Sequence, residues 1–222
     1  MALYFQDRNE AARLLAEKLH AYKGRNPLVL AIPRGAVPMG AILAEALQGE
    51  LDVVLVHKLG APGNPEYAIG SIDEAGHVYL SDAVHAAGAG ARYVEQAKQD
   101  ELRTLQRRRA QYTPVRPPID PAGRIVIVVD DGVATGFTML AALRAVRAKK
   151  PAQLIAAMAV TPPDTLRRLK AEADEIVCLD APDHFYAVGQ FFADFPQVSD
   201  EEVIATLSRQ PERPAGKTAP SK

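Results

Sequence analysis

Ile125-Val-Ile-Val-Val129-Asp130-Asp131-Gly132-Val133-Ala134-Thr135-Gly136-Phe137-Thr138-Met139 is the stretch on which the reading of the whole chain turns. An unbroken run of β-forming apolar residues meets two adjacent carboxylates. A small turn with glycines and a threonine follows, and helix-forming residues then begin. A pure apolar run suits a strand covered on both faces, as in a parallel sheet. Such sheets bind ligands at the carboxyl ends of their strands. The loop entering the helix offers free backbone N–H groups and the positive end of a helix dipole, which suits phosphate. The Thr135 and Thr138 hydroxyls can donate to phosphate oxygens, and Gly132 and Gly136 let the backbone approach closely. Within a strand Asp130 and Asp131 would point to opposite faces. Past the strand end both can reach a diol. Carboxylates for ribose hydroxyls beside a loop for phosphate read as a sugar-phosphate site. A plain strand-to-helix turn needs Asp131 or Thr135 as a cap, which leaves the rest of the stretch without a purpose.

Outward from this stretch, helix and strand patterns alternate. Asp7 with Glu10 has the spacing of a capping box, and Ala11, Leu14, Leu15, Leu19 and Tyr22 mark one helical face that Gly24 ends. Leu28–Ile32, Leu51–Val56, Ile125–Val129, Leu154–Val160 and Ile176–Leu179 are short apolar runs. Between them lie helical patterns over Val37–Leu47, up to Lys149, and from Pro163 to Ala173. The fold class is α/β, a doubly wound parallel sheet. Residues 61–122 interrupt the rhythm with a hairpin, Ala68–Ile72 and His77–Leu80, a helix over Arg92–Tyr112, and a Pro-rich linker. That helix carries Arg103, Arg107, Arg108 and Arg109, a solvated face or a binding surface. Residues 1–210 read as one domain with that insertion, and 211–222 as a disordered tail.

Composition narrows the function. Lys and Arg total 26 against 27 Asp and Glu, so no global attraction to nucleic acid or an anionic membrane is expected. A single cysteine, Cys178, excludes an internal disulfide or a zinc site of several thiolates. The first residues lack a signal peptide's basic start and apolar run, and no apolar stretch is long enough to span a membrane. A cytoplasmic protein is expected. The histidines show no metal-ligand spacing.

The stretch from Val126 to Thr138 resembles the phosphoribosyl pyrophosphate (PRPP) motif of type I phosphoribosyltransferases: four apolar residues, two acidic ones, and a Thr-Gly turn closing with Ser or Thr. The layout is similar to stand-alone bacterial phosphoribosyltransferase-like proteins with a Pro-Arg-Gly loop. The resemblance covers about residues 28–60 and 123–195. It implies that Asp130 and Asp131 contact the ribose hydroxyls, and that Gly132, Ala134, Thr135, Gly136 and Thr138 lie around the phosphate. Ile32-Pro33-Arg34-Gly35-Ala36 falls where the family keeps its pyrophosphate loop. The unusual peptide of such loops is expected at Arg34–Gly35. The guanidinium of Arg34 suits pyrophosphate; the plainer reading is a surface arginine in a turn. Lys58, placed at the end of the second strand, matches a basic residue near the pyrophosphate, or is a solvated strand-end lysine. The resemblance makes Asp130, Asp131 and Lys58 the catalytic group.

Ala181-Pro-Asp-His-Phe185-Tyr186, continuing to Asp194 and Phe195, resembles the purine-holding hood of hypoxanthine-type enzymes, at about residues 180–200. Tyr186 or Phe185 would stack on a base and Asp194 would sit near it. Otherwise Phe191, Phe192 and Phe195 pack a core edge. Residues 61–122 fall where type I enzymes have a mobile catalytic loop, but they are longer and more helical. The resemblance implies transfer of the phosphoribosyl group from PRPP to a nitrogenous base, as in purine salvage, with release of pyrophosphate. Mg²⁺ would be held mostly by the substrate's oxygens, with Asp130 and Asp131 acting indirectly. It also implies a homodimer. A non-catalytic PRPP sensor and a hydrolase or phosphorylase of a phosphoribosyl compound are the other readings.

Overall fold

The computed structural model describes residues 3–211. The elements, in order, are α1 (Arg8–Lys18), β1 (Leu28–Ala31), α2 (Ala36–Leu47), β2 (Glu50–Val53), β3 (Val56–Ala61), β4 (Asn64–Asp73) and β5 (Val78–Leu80). There follow α3 (Ala83–Ala86), α4 (Ala91–Tyr112), β6 (Ile125–Gly132), α5 (Phe137–Ala148), β7 (Gln153–Val160), α6 (Pro163–Leu169), β8 (Glu175–Asp180) and α7 (Asp200–Ser208). Residues 212–222 of the expected tail lie outside the described residues.

Five parallel strands form the central sheet in the order β2-β1-β6-β7-β8. This is the doubly wound sheet expected. Alternate residues of β6 feed two separate cores. Ile127 and Val129 join one with Leu15, Val37, Leu43 and Val203, from α1, α2 and α7. Val126 and Val128 join the other with Met139, Leu143 and Val146 of α5. Each fully buried side chain of this size contributes about 1.5–3 kcal/mol, so four in succession hold β6 at the centre.

The chain winds from β1 outward to β2 on one side and resumes at β6 on the other. β1 and β6 therefore flank the switch point, where such sheets bind ligands. Their register, Leu28 opposite Val126 through Ala31 opposite Val129, brings the two following loops side by side. The Ile32 amide donates to the Val129 carbonyl at 3.0 Å and extends that pairing.

The insertion departs from the expected hairpin. β4 and β5 pair antiparallel, with Ile72 opposite Val78, as expected. Asp73 turns the chain between them, its Oδ1 accepting from the amides of Ala75 and His77, both at 2.9 Å. A third strand, β3, completes this sheet. The run Leu51–Val56, read as one strand, is split between the two sheets. Buried Asp52 anchors the end of β2: its carboxylate accepts from the amides of Val53 and Ile119, both at 2.7 Å. The helix over Arg92–Tyr112 forms as α4. Of its arginines, Arg109 is no solvated group, since it grips Glu74 through Nε at 2.7 Å and Nη2 at 2.9 Å.

Two helix ends also differ, and α7 was not foreseen. α1 stops at Lys18 and a short 3-10 turn, His20–Tyr22, precedes Gly24. α6 stops at Leu169 rather than Ala173. α7 has a capping box, with Ser199 accepting from the Glu202 amide and Glu202 from that of Ser199. No helix among the described residues is long and apolar enough to cross a membrane.

Candidate active site

Asp130 and Asp131 do not lie past a strand end. β6 continues through both to Gly132, with Asp130 opposite Met158 and Gly132 opposite Val160. Alternation along β6 starts the two side chains on opposite faces, yet their carboxyls come within hydrogen-bonding reach of each other. Asp131 continues the face of Ile127 and Val129, where Arg8 Nε donates to its Oδ2 at 2.8 Å. Burial pushes the Asp130 carboxyl well above the usual carboxylate range, and the neighbouring Asp131 charge adds to this. Asp131 is also raised by burial, with the Arg8 guanidinium opposing.

The loop after β1 packs onto this carboxylate. A β-carbon at Gly35 would stand 2.2 Å from Asp131 Oδ2. The sequence-expected pyrophosphate loop and PRPP motif are thus in contact. The unusual peptide is present one bond earlier than expected: Pro33–Arg34 is cis, not Arg34–Gly35. Arg34 is partly exposed, with Nη1 at 3.6 Å from Asp200 Oδ2 at the start of α7. The same Asp200 accepts from the Tyr112 hydroxyl at 2.6 Å.

The loop Val133–Gly136 is held by its carbonyls. Thr161 Oγ1 donates to Val133 O at 2.8 Å, Thr165 Oγ1 to Ala134 O at 2.8 Å, and Arg168 Nη2 to Thr135 O at 2.7 Å. Three consecutive carbonyls are thereby turned toward β7 and α6. Ala134 and Thr135 are exposed, and Thr138 lies in the first turn of α5. The Val133 amide donates to the Val160 carbonyl at 2.9 Å; carbonyls fixed on one side of a turn direct the amides that follow, from Ala134 on, toward an anion, reinforced by the α5 dipole.

Both glycines of this stretch also have structural work. Gly136 takes φ +84°, and a β-carbon there would meet Thr165 Cγ2 at 2.9 Å. A β-carbon at Gly132 would stand 2.4 Å from Val188 Cγ1, so this glycine makes room for the hood.

Lys58 is not at the end of the second core strand. β2 ends at Val53, and Lys58 lies within β3, opposite Ser71. In the hood, Phe185 packs on Phe191 with centroids 5.2 Å apart, and Phe192 stacks on Phe195 at 4.8 Å. The core-edge reading therefore describes Phe191, Phe192, Phe195 and also Phe185. Tyr186 is 89% exposed and Asp194 is exposed. A separate cavity of about 200 Å³ lies between the sheet and the β4–β5 turn, lined by Leu30, Val54, Ile119 and Val146. None of the expected site residues borders it.

Among the described residues, no group of three or more His, Cys, Asp or Glu is arranged to hold a metal ion. Two adjacent carboxylates fit a hard Mg²⁺ ion that arrives with phosphate oxygens and keeps its waters. Both are already engaged in part: Asp130 Oδ1 accepts from the Asp131 amide at 2.9 Å, and Asp131 Oδ2 accepts from Arg8.

Sequence reading missed Arg8, Thr161, Thr165, Arg168 and Val188. Only Arg8 left a signal: a cation directly after the capping Asp7 opposes the helix dipole. The others act across elements distant in sequence.

The description "Phosphoribosyl transferase domain" matches residues 5–196. Two curated relatives, from Mycobacterium tuberculosis strains CDC 1551 and H37Rv, bear phosphoribosyl transferase names and are 41% identical over 206 residues. The match covers 92% of this chain and 46% of theirs, so the chain spans less than half the length of those relatives. The crystal structure of TT1426 from Thermus thermophilus is similar at TM-score 0.79 and 43% identity, covering 93% of this chain and 98% of that one. With the switch-point loops and acidic pair in place, these likenesses make the chain a member of the phosphoribosyl transferase domain family.

Proposed function

We propose that the chain transfers the 5-phosphoribosyl group from PRPP to a nitrogenous base and releases pyrophosphate. The observation that carries this reading is the contact of the Pro33-Arg34-Gly35 loop with Asp131 at the switch point, with the Val133–Gly136 loop beside it. Asp130 and Asp131 would accept from the ribose hydroxyls. The loop Ala134 to Thr138, through its amides and the Thr135 and Thr138 hydroxyls, would hold the 5′-phosphate. Arg34 and the loop around it would meet the pyrophosphate, a role the exposed position of Arg34 permits.

In the reaction the C1′–O bond to pyrophosphate breaks and a C1′–N bond to the base forms, the base nitrogen losing its proton. Bound with the substrate, Mg²⁺ would offset charge on the departing pyrophosphate. The protein's own part is to position the ring and stabilise charge as C1′ becomes oxocarbenium-like. Tyr186 is the hood aromatic with a free face for the base. Phe185 is engaged with Phe191, and Lys58 would have to act from β3 rather than from the central sheet. A cytoplasmic, dimeric enzyme of nucleotide metabolism goes with this reading.

The test is a screen of nucleobases with PRPP and Mg²⁺, reading pyrophosphate release, with Asp130→Asn and Asp131→Asn as controls. One charge-assisted hydrogen bond contributes about 1.5–3 kcal/mol, so each change should weaken PRPP about ten- to a hundredfold. Unchanged affinity in folded variants would remove the diol assignment. PRPP binding without turnover of any base would favour a sensor. Cleavage without an acceptor would favour a hydrolase or phosphorylase.

A further inference from the structure

Arg8 is the first residue of α1, next to the Asp7 cap. The first turn of a helix is the positive end of its dipole, an unfavourable place for a cation. A long cationic side chain on a surface helix ordinarily keeps its head in water. That of Arg8 is instead only 11% exposed. Nε donates to Asp131 Oδ2 at 2.8 Å and Nη1 donates to the Pro196 carbonyl at 2.7 Å. The guanidinium carbon lies 3.7 Å from the centre of the Phe195 ring. Nη2 comes within 3.2 Å of the point where a β-carbon on Gly35 would sit. One guanidinium thus touches the acidic pair, the Pro-Arg-Gly loop and the hood.

A structural strut is the simpler explanation, and the contacts argue against it. The N-terminal segment is already stitched to the hood by its backbone. Phe5 N donates to Phe191 O at 2.8 Å, Ala193 N to Phe5 O at 2.9 Å, and Asp194 N to Gln6 O at 2.9 Å. Phe5 also packs on Phe192, with centroids 5.3 Å apart. Joining these parts needs no buried ion pair, whose desolvation an apolar residue would avoid. Local rules broken without structural need are a mark of functional sites.

We propose that Arg8 is a positioning residue of the PRPP site: it fixes the Asp131 carboxylate through Oδ2 in the setting that receives a ribose hydroxyl, and ties that setting to the hood. The inference rests on the transferase reading above. It makes the N-terminal helix part of the donor site, and it couples the hood's Phe195–Pro196 segment to the residue that reads ribose.

The experiment compares the full chain with Arg8→Met, which keeps length and cover on Phe195, and with Arg8→Lys, which keeps the charge. Dissociation constants are measured for PRPP, ribose 5-phosphate and pyrophosphate, each with Mg²⁺. Arg8→Met should weaken PRPP and ribose 5-phosphate about ten- to a hundredfold, the span of one charge-assisted hydrogen bond. Its pyrophosphate affinity should fall the least of the three, and Arg8→Lys should recover part of the loss. Unchanged affinity for all three ligands overturns the proposal, as does an equal loss of all three that lysine does not relieve. If the unaltered protein binds neither PRPP nor ribose 5-phosphate, the transferase reading itself falls, and the inference with it.

Discussion

Gly35 stands so close to Asp131 that a β-carbon on it would lie 2.2 Å from the carboxylate Oδ2. The two residues are 96 positions apart in sequence and come from the loop after β1 and the end of β6. Their contact exists because β1 and β6 are neighbours at the point where the winding of the sheet reverses.

Gly35→Ala tests that contact. The added methyl must displace the Asp131 carboxylate or the Arg8 guanidinium. Overpacking of this kind costs about 1–3 kcal/mol. PRPP affinity should fall with stability, as read by calorimetry and thermal melting. Wild-type affinity and melting in this variant would show that the loop and the carboxylate move independently.

The clamp on the Val133–Gly136 loop gives a second expectation. Arg168→Met removes the donor to Thr135 O, and Thr165→Val removes the donor to Ala134 O. A hydrogen bond contributes about 0.5–1.5 kcal/mol, so each change should weaken ribose 5-phosphate about three- to tenfold. Titration of ribose 5-phosphate against both variants is the check. No loss in either would mean that the loop keeps its shape without α6.

The acceptor can be narrowed by what its side of the site lacks. Hypoxanthine-type enzymes read the purine 6-oxo group with a lysine between the fourth core strand and the hood. Here Ala157–Asp164 holds none, and Lys170 is exposed at the end of α6. A 6-oxo oxygen left desolvated without a donor costs about 1–3 kcal/mol. Steady-state kinetics with adenine, hypoxanthine, guanine, xanthine, uracil and orotate should therefore give poor turnover of hypoxanthine and guanine. A kcat/KM for either above ~10⁴ M⁻¹s⁻¹, the lower edge of ordinary enzymes, would refute the argument.

Cys178 provides a pH expectation. Burial raises its thiol from 9.0 to about 11, while it donates to the Asp180 carbonyl at 3.0 Å. Alkylation by iodoacetamide should be slow at pH 8 and should accelerate only near the raised value. Between the two values the unfolded chain has released this proton and the folded chain still holds it, so this thiol's contribution to stability declines as pH rises through that window. Labelling at pH 8 as fast as a free thiol would contradict the burial.

The doubly wound class was legible because strands buried on both faces need unbroken apolar runs, and β6, β7 and β8 lie where those runs predict. The acidic pair and the Thr-Gly turn were legible because their chemistry is local: adjacent carboxylates, a flexible turn and a helix start. β3 was not, since its half-buried pattern, with His57, Lys58 and Gly60 among apolar residues, carries little signal. That is also why Lys58 was assigned to the wrong sheet. The unusual peptide was expected at Arg34–Gly35, one bond from the cis Pro33–Arg34 bond, because a loop's conformation depends on what it packs against. Sequence by itself determined the alternation of elements and the carboxylates, turn and glycines from which the site is assembled. Tertiary structure alone decided that Arg8 meets Asp131, that Thr161, Thr165 and Arg168 hold three successive carbonyls, and that Gly132 makes room for Val188. Each of those contacts joins segments between 28 and 123 residues apart, and only the winding order of the sheet brings such segments together.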